Sequence, residues 1–250
     1  MPEVIRKRVV NIDVSLIPYQ QALSEVIVLA KAHTPSYACF SNVHMTIEAH
    51  ESEEFRKYVN QADYAFADGM PLVFALKWLY GIRQERIAGM DFMYDVLKKC
   101  DYEKLSVFLF GSTSPVLDSL KQYITTTFPQ VTVAGMISPP FRKLTEEENI
   151  NHRQEINVSG AHIVLVGLGC PKQEIWMAQN SSQINACLLG VGGAFGLYAD
   201  QTKRAPLWMR NIGLEWLFRL GQEPRRLFSR YAKTNSTFIY QLMKQKFNGN

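Results

Sequence analysis

The stretch that most constrains this chain is residues 162–179, HIVLVGLGCPKQEIWMAQ. His162 to Val166 is a short apolar run rich in β-branched residues, the pattern of a buried strand. Gly167-Leu168-Gly169 follows as a tight turn. Pro171 then stands where a first helical residue belongs, since its fixed φ suits that position and its missing N–H is not needed there. Lys172, Gln173 and Glu174 fill the opening turn of that helix. Strand, glycine turn and helix N-terminus form a corner where free N–H groups and the helix dipole favour an anion, a phosphate first of all. An ordinary strand-to-helix turn with surface charges satisfies the same residues equally well.

The rest of the chain repeats this unit. Residues 4–14 read as one or two opening strands. Further strands are expected at Tyr37–Ser41, Tyr64–Ala67, Ser106–Phe110, Val131–Met136 and Ala186–Val191. Helical periodicity separates them, as at Tyr19–Ala32, where Ala22, Val26, Leu29 and Ala30 share a face. Ser52 starts a helix, and Thr145 with Glu148 fits a capping box. Alternating strands and helices predict an α/β fold: a mostly parallel, doubly wound sheet with helices on both faces. From Thr202 the alternation stops. Helical stretches at 207–219, 224–232 and 236–247 carry interleaved aromatics and cations. We therefore read residues 1–201 as the core and 202–250 as a helical appendage.

Charge divides at the same place. Residues 203–250 hold ten Lys/Arg against two Glu, while residues 1–202 hold 17 against 21 Asp/Glu. A basic tail on a mildly acidic body favours an anionic partner: a membrane surface, a nucleic acid or a phosphorylated substrate. No apolar run approaches the ~20 residues of a transmembrane helix. The N-terminal MPEVIRKRVV lacks a signal peptide's apolar core, so a cytosolic protein is expected. Cys39, Cys100, Cys170 and Cys187 have no CxxC spacing and read as free thiols.

In such sheets ligands bind beyond the carboxyl ends of the strands, where three loops should converge. The first, Phe40-Ser41-Asn42-Val43-His44, offers Asn42 as a hydrogen-bonding group and His44 as a base. The second, Ala67-Asp68-Gly69-Met70-Pro71, places a carboxylate before a glycine and a helix-opening proline. Asp68 is there either a general base or a helix N-cap. The third runs from Gly169 through Lys172 to Glu174. Arg86 precedes Ala88-Gly89-Met90-Asp91 in a loop able to fold over the site. Gly192-Gly193-Ala194-Phe195-Gly196 is a further glycine-rich strand end. No GxGxxG is present, and no acid follows at the spacing that holds a ribose, which argues against a nicotinamide-dependent dehydrogenase. The Walker phosphate loop is missing, and no His/Cys/Asp cluster has metal spacing.

With these loops assembled, the chain resembles the WecG/TagA/CpsF glycosyltransferase family. The resemblance is carried by ADGMPLVFA at 67–75, RIAGMDF at 86–92, LFGS at 109–112, GLGCPKQEIW at 167–176, GVGGAFG at 190–196 and RAPLWMRNIGLEWLFRLGQEPRRLFSRY at 204–231. It implies a Rossmann-like core and an inverting transfer of N-acetylmannosamine, or a related sugar, from a UDP-sugar to a polyprenyl-diphosphate-linked N-acetylglucosamine. The products would enter teichoic acid, common antigen or exopolysaccharide. By resemblance Asp68 is the general base and Asn42 lines the site. Arg86, Gln173, Gly169 and Lys172 face the donor. Arg204, Arg219, Arg226 and Arg230 close the site and engage the acceptor. No cofactor and no metal are expected. An inverting transfer needs a base for the acceptor hydroxyl and positive charge for the departing UDP, and no DxD-type carboxylate pair stands out.

The resemblance also implies a peripheral attachment to the inner face of the cell membrane, through the cationic, aromatic tail. It selects UDP-sugar, lipid-linked acceptor and membrane over nucleic acid, and leaves a homo-oligomer open. Two other readings stand beside it: transfer of a hexose or uronic acid in exopolysaccharide synthesis, and a non-enzymatic α/β domain whose tail grips nucleic acid. Phe40 stands where the family usually has Thr, Gly196 where it commonly has Asp, and Cys170 where Ser is frequent. The Phe40 and Gly196 changes are expected to fall near the sugar pocket.

Overall fold

A computed structural model of the chain describes residues 4–199, 205–211, 213–222 and 224–248, without the side chains of residues 207, 211, 219, 226, 227, 229 and 230. Arg204 therefore lies outside the described residues, as do the side chains of Arg219, Arg226 and Arg230. The chain opens with an antiparallel hairpin of β1 (Arg6–Val9) and β2 (Ile12–Ser15). It then alternates as read: α1 (Tyr19–Lys31), β3 (Ser36–Ser41), α2 (Val43–Glu51), α3 (Glu53–Asn60), β4 (Tyr64–Ala67), α4 (Met70–Tyr80) and α5 (Gly89–Glu103). The second half follows with β5 (Ser106–Gly111), α6 (Ser114–Thr127), β6 (Thr132–Ile137), α7 (Glu146–Val158), β7 (Ile163–Gly167), α8 (Lys172–Asn180), β8 (Cys187–Gly190) and α9 (Gly192–Tyr198).

Six strands form one parallel sheet in the order β4-β3-β8-β7-β5-β6. From β3 the chain steps outward to β4. It then crosses to β5 and β6, and returns through β7 and β8 to the centre. All six strands point the same way, so the ends of β3, β4, β7 and β8 share one edge. The unbroken apolar run of β7 is explained by its place inside the sheet: Ile163, Val164, Leu165 and Val166 are fully buried. Ile163 and Leu165 pack with α1, α5, α6 and α9 on one face. Val164 and Val166 pack with α2, α3, α4, α7 and α8 on the other. Burying each such side chain contributes about 1.5–3 kcal/mol. The edge strand β6 is only half-buried.

Local signals held where they were strongest. The Ser52 side chain accepts the Phe55 N–H and caps α3. Thr145 and Glu148 form both halves of a capping box on α7. The opening of α8 differs from expectation: Pro171 stands at the N-cap after a cis Cys170–Pro171 bond, and the helix starts at Lys172.

The appendage comprises α10 (Leu207–Asn211), α11 (Glu215–Gln222) and α12 (Pro224–Asn248). The sequence pattern predicts one helix over 207–219 and a break between 232 and 236. Instead Gly213, at φ +79°, lies between α10 and α11, and α12 runs unbroken for 25 residues. Tertiary burial overrides the weak helix formers Thr234, Asn235, Ser236 and Thr237. Thr234 and Phe238 are buried, Phe238 in the layer formed around α2 and α3. Gln245 clasps the opening hairpin: its Oε1 accepts the Val10 N–H at 2.8 Å and its Nε2 donates to the Arg8 carbonyl at 2.9 Å. Among the described residues, no helix is long and apolar enough to cross a membrane.

Candidate active site

The site is built where β3 and β4 end. Asp68 follows β4 and is half-buried. Its N–H donates to the Ser41 carbonyl at 2.9 Å, which holds it beside the end of β3. The N-cap of α4 is Gly69, with no side-chain cap. Asp68 is therefore not the helix cap that its position also allowed. Asn42 opens α2, and its Oδ1 accepts the Met45 N–H at 3.2 Å. Asn42 and Gly69 are packed together: a Cβ on Gly69 would lie 3.6 Å from the Asn42 Cβ. His44, in the first turn of α2, points its Nδ1 toward Glu48 Oε1 at 3.7 Å.

Arg86 arrives at the same edge. The Ile87 N–H donates to the Ala67 carbonyl at 2.9 Å, so this segment extends alongside the end of β4. Buried Gln84 anchors it further: its Nε2 donates to the Ile17 carbonyl at 2.7 Å and its Oε1 accepts the Ile17 N–H at 3.1 Å. The segment expected to fold over the site is thus pinned to the core at two points, and Arg86 is presented from a fixed support. Its guanidinium meets Asp91 Oδ2 at 3.4 Å and Glu215 Oε2 at 3.2 Å.

The corner after β7 is organised by a side chain. Gln173 is buried, and both ends of its amide are engaged. Its Oε1 accepts the N–H of Gly169 at 3.3 Å and that of Gly192 at 3.2 Å. Its Nε2 donates to the Gly190 carbonyl at 3.1 Å and to Glu174 Oε1 at 2.6 Å. This bracket ties the loop after β7 to the loop after β8. It fills part of the space the sequence suggested for an anion, and it uses the Gly169 N–H. Glycine at 192 leaves room for this bracket: a Cβ would lie 2.7 Å from Gln173 Oε1 and displace it. Gly169 and Lys172 are exposed on the rim.

Glu174 was read as part of a turn with surface charge, but it is fully buried. Burial pushes its carboxyl up to about 7 against opposing hydrogen bonds, chiefly that from Gln173. Desolvation also pushes the neighbouring Cys170 thiol well up, which suits a turn residue and not a nucleophile. Phe40 is also interior. It is buried against Phe66 and Phe92, with ring centroids 5.4 Å away in each case, and Gly89 packs on its ring. Its ring belongs to the core layer around α1 and α5. Gly196 lies within α9.

The structure thus brings Asn42, Asp68 and Arg86 to one edge, and sets Gln173 two strands away as a support. The sequence gives Asp91, Arg210 and Glu215 no role, yet Asp91 and Glu215 pair with Arg86, and Arg210 pairs with Asp91. Asp91 stands in the motif at 86–92 and the other two in the tail segment at 204–231, where Glu215 is an acid among cations and aromatics. A carboxylate and a guanidinium on rigid supports at a strand edge are groups of the kinds that general-base chemistry and anion binding use. The same arrangement occurs in unrelated enzymes, so whole-chain likeness has to decide between them. The sequence profile of the glycosyl transferase WecG/TagA/CpsF family matches residues 7–250, spanning every element from the first hairpin to α12, and the chain belongs to that family.

Proposed function

We propose that this glycosyltransferase moves N-acetylmannosamine or a related sugar, with inversion, from a UDP-sugar to a polyprenyl-diphosphate-linked N-acetylglucosamine for cell-surface polysaccharide. The observation that carries this reading is the meeting of Asp68 and Arg86 at the ends of β3 and β4, in a chain of this family. Asp68 takes the proton from the acceptor hydroxyl as that oxygen attacks the anomeric carbon. The C–O bond to UDP breaks as the new one forms, and Arg86 offsets the charge growing on the diphosphate. Asn42 borders the acceptor side. Gln173 acts through the backbone, by holding the loops after β7 and β8 in register, with Gly169 and Lys172 on the rim. The reaction as written draws its positive charge from arginine, with no metal or cofactor. Arg204, Arg219, Arg226 and Arg230 are assigned to the acceptor diphosphate, and the tail to the inner-leaflet surface.

The test is product mass spectrometry with a panel of UDP-sugars on a short-chain lipid-diphosphate N-acetylglucosamine. Wild type is expected to use UDP-N-acetylmannosamine. Asp68→Asn should lower kcat by about 10²–10⁴-fold while UDP binding persists. Full turnover by that variant would remove Asp68 as the base. Activity with UDP-glucose alone would move the reading to a hexosyltransferase.

A further inference from the structure

Arg86 pairs with two carboxylates, Asp91 five residues on and Glu215 from the appendage, and Asp91 in turn pairs with Arg210. Asp91 lies in the first turn of α5, Arg210 in α10 and Glu215 at the start of α11. Glu215 Oε2 is 3.2 Å from Arg86 Nη1, and Asp91 Oδ2 is 3.4 Å from Arg86 Nη2. The other Asp91 oxygen is 3.4 Å from Arg210 Nη1. The Arg86 and Glu215 side chains are only 17% and 18% exposed, so water and salt screen this pair weakly, while Asp91 is 34% exposed. The turn between α10 and α11 also rests on the core: a Cβ on Gly213 would lie 3.1 Å from Met70 Cβ. The appendage therefore sits beside the loop carrying Asp68, and two of its side chains reach the group that Arg86 belongs to.

We propose that Glu215 is a positioning residue for the transfer reaction, holding the Arg86 guanidinium toward the donor diphosphate from the appendage side, with Asp91 as its counterpart from the core. The proposal rests on the assignment of Arg86 to the donor. A guanidinium is planar and carries five N–H donors. One carboxylate on each terminal nitrogen sets its plane and leaves further donors for an anion. Arg210 shares Asp91, which links α10 to the same pair. With the appendage away from the core, Arg86 keeps one carboxylate and loses its fixed orientation.

The sign of the effect separates positioning from simple charge. Glu215 offsets positive charge beside the site. If charge were its only role, Glu215→Gln would strengthen donor binding. If it orients Arg86, the same change weakens donor use despite the added positive potential. Two readouts are taken on the full-length chain. In steady-state kinetics, Glu215→Gln is expected to raise KM for the UDP-sugar about tenfold, the order expected when one hydrogen bond to a charged group is lost. KM for the lipid acceptor should stay within about twofold, and Glu215→Asp should recover part of the loss. In amide exchange without substrate, Glu215→Gln should increase exchange at residues 86–91 and 213–218 and leave β5 and β7 unchanged. A lowered or unchanged donor KM would overturn the proposal, and so would unchanged exchange at 86–91. If wild type turned over no UDP-sugar, the assigned reaction would fail, and amide exchange alone would then decide whether Glu215 holds Arg86.

Discussion

Glu174 shows how far surroundings can reset a residue. The side chain is fully buried, and burial raises its carboxyl from 4.5 to about 7. Between those two values an unfolded chain releases the proton while the folded one retains it. Stability is therefore fully present below pH 4.5, falls as pH rises, and levels off above about pH 7. Glu174→Gln removes the titration and keeps an acceptor for Gln173 Nε2. We expect its stability relative to wild type to improve by about 3 kcal/mol between pH 4.5 and pH 7, read from urea denaturation across that range. An offset independent of pH would show that this carboxyl does not titrate in the window. Residue type was legible here and charge state was not. In sequence Glu174 is an ordinary acid in a first helical turn, and only the packing of α8 against the sheet removes it from water.

Among the elements, α12 departs furthest from its local signals. Its middle is poor in helix formers, yet it runs unbroken because it lies on α2 and buries Thr234 and Phe238. Phe238→Ala removes the larger of the two buried side chains described on this helix, Thr234 and Phe238. It should cost about 3 kcal/mol, the lower end for a buried aromatic, with a matching rise in amide exchange along 234–245. A cost below 1 kcal/mol would mean that Gln245 and its clasp on the hairpin carry the docking instead. The short helices were legible to within a residue or two wherever a side chain caps them, as at Ser52 and Thr145. Caps are local, and the partner atoms lie three residues away. Continuity of α12 depends on contacts nearly two hundred residues away in sequence, which no window along the chain contains.

At the scale of the whole molecule, the charge division between body and tail persists in the fold. Arg225, Lys244 and Lys246 are exposed on α12, in company with Phe228, Ile239, Tyr240, Met243 and Phe247. If the tail meets an anionic surface, each such cation contributes about 1 kcal/mol. Arg225→Glu combined with Lys244→Glu should then weaken flotation with vesicles rich in anionic lipid by more than tenfold, and leave turnover of a soluble short-chain acceptor intact. Unchanged flotation would remove the membrane role assigned to these side chains. A full-length double variant is preferable to a chain ending at Gln201, because deleting α12 would also uncover the apolar faces around Phe238.

Several features follow from the sequence alone. Strand and helix alternate because apolar residues recur at period two or in short runs, then at helical spacing. Parallel strands follow from that alternation, and parallel strands put all their carboxyl ends on one edge. Asn42 and Asp68, each just past a strand end, belong on that edge for this reason, whereas Arg86 follows a helix and reaches the edge through the Ile87–Ala67 hydrogen bond and the Gln84 anchor. The tertiary structure decided what surrounds them. Phe40 turns to the core, Gln173 brackets two loops, and Arg86 faces a carboxylate 129 residues further along. The first set depends on forces between near neighbours in the chain. The second depends on burial and charge pairing between segments brought together only when the sheet closes and the appendage lies down on it.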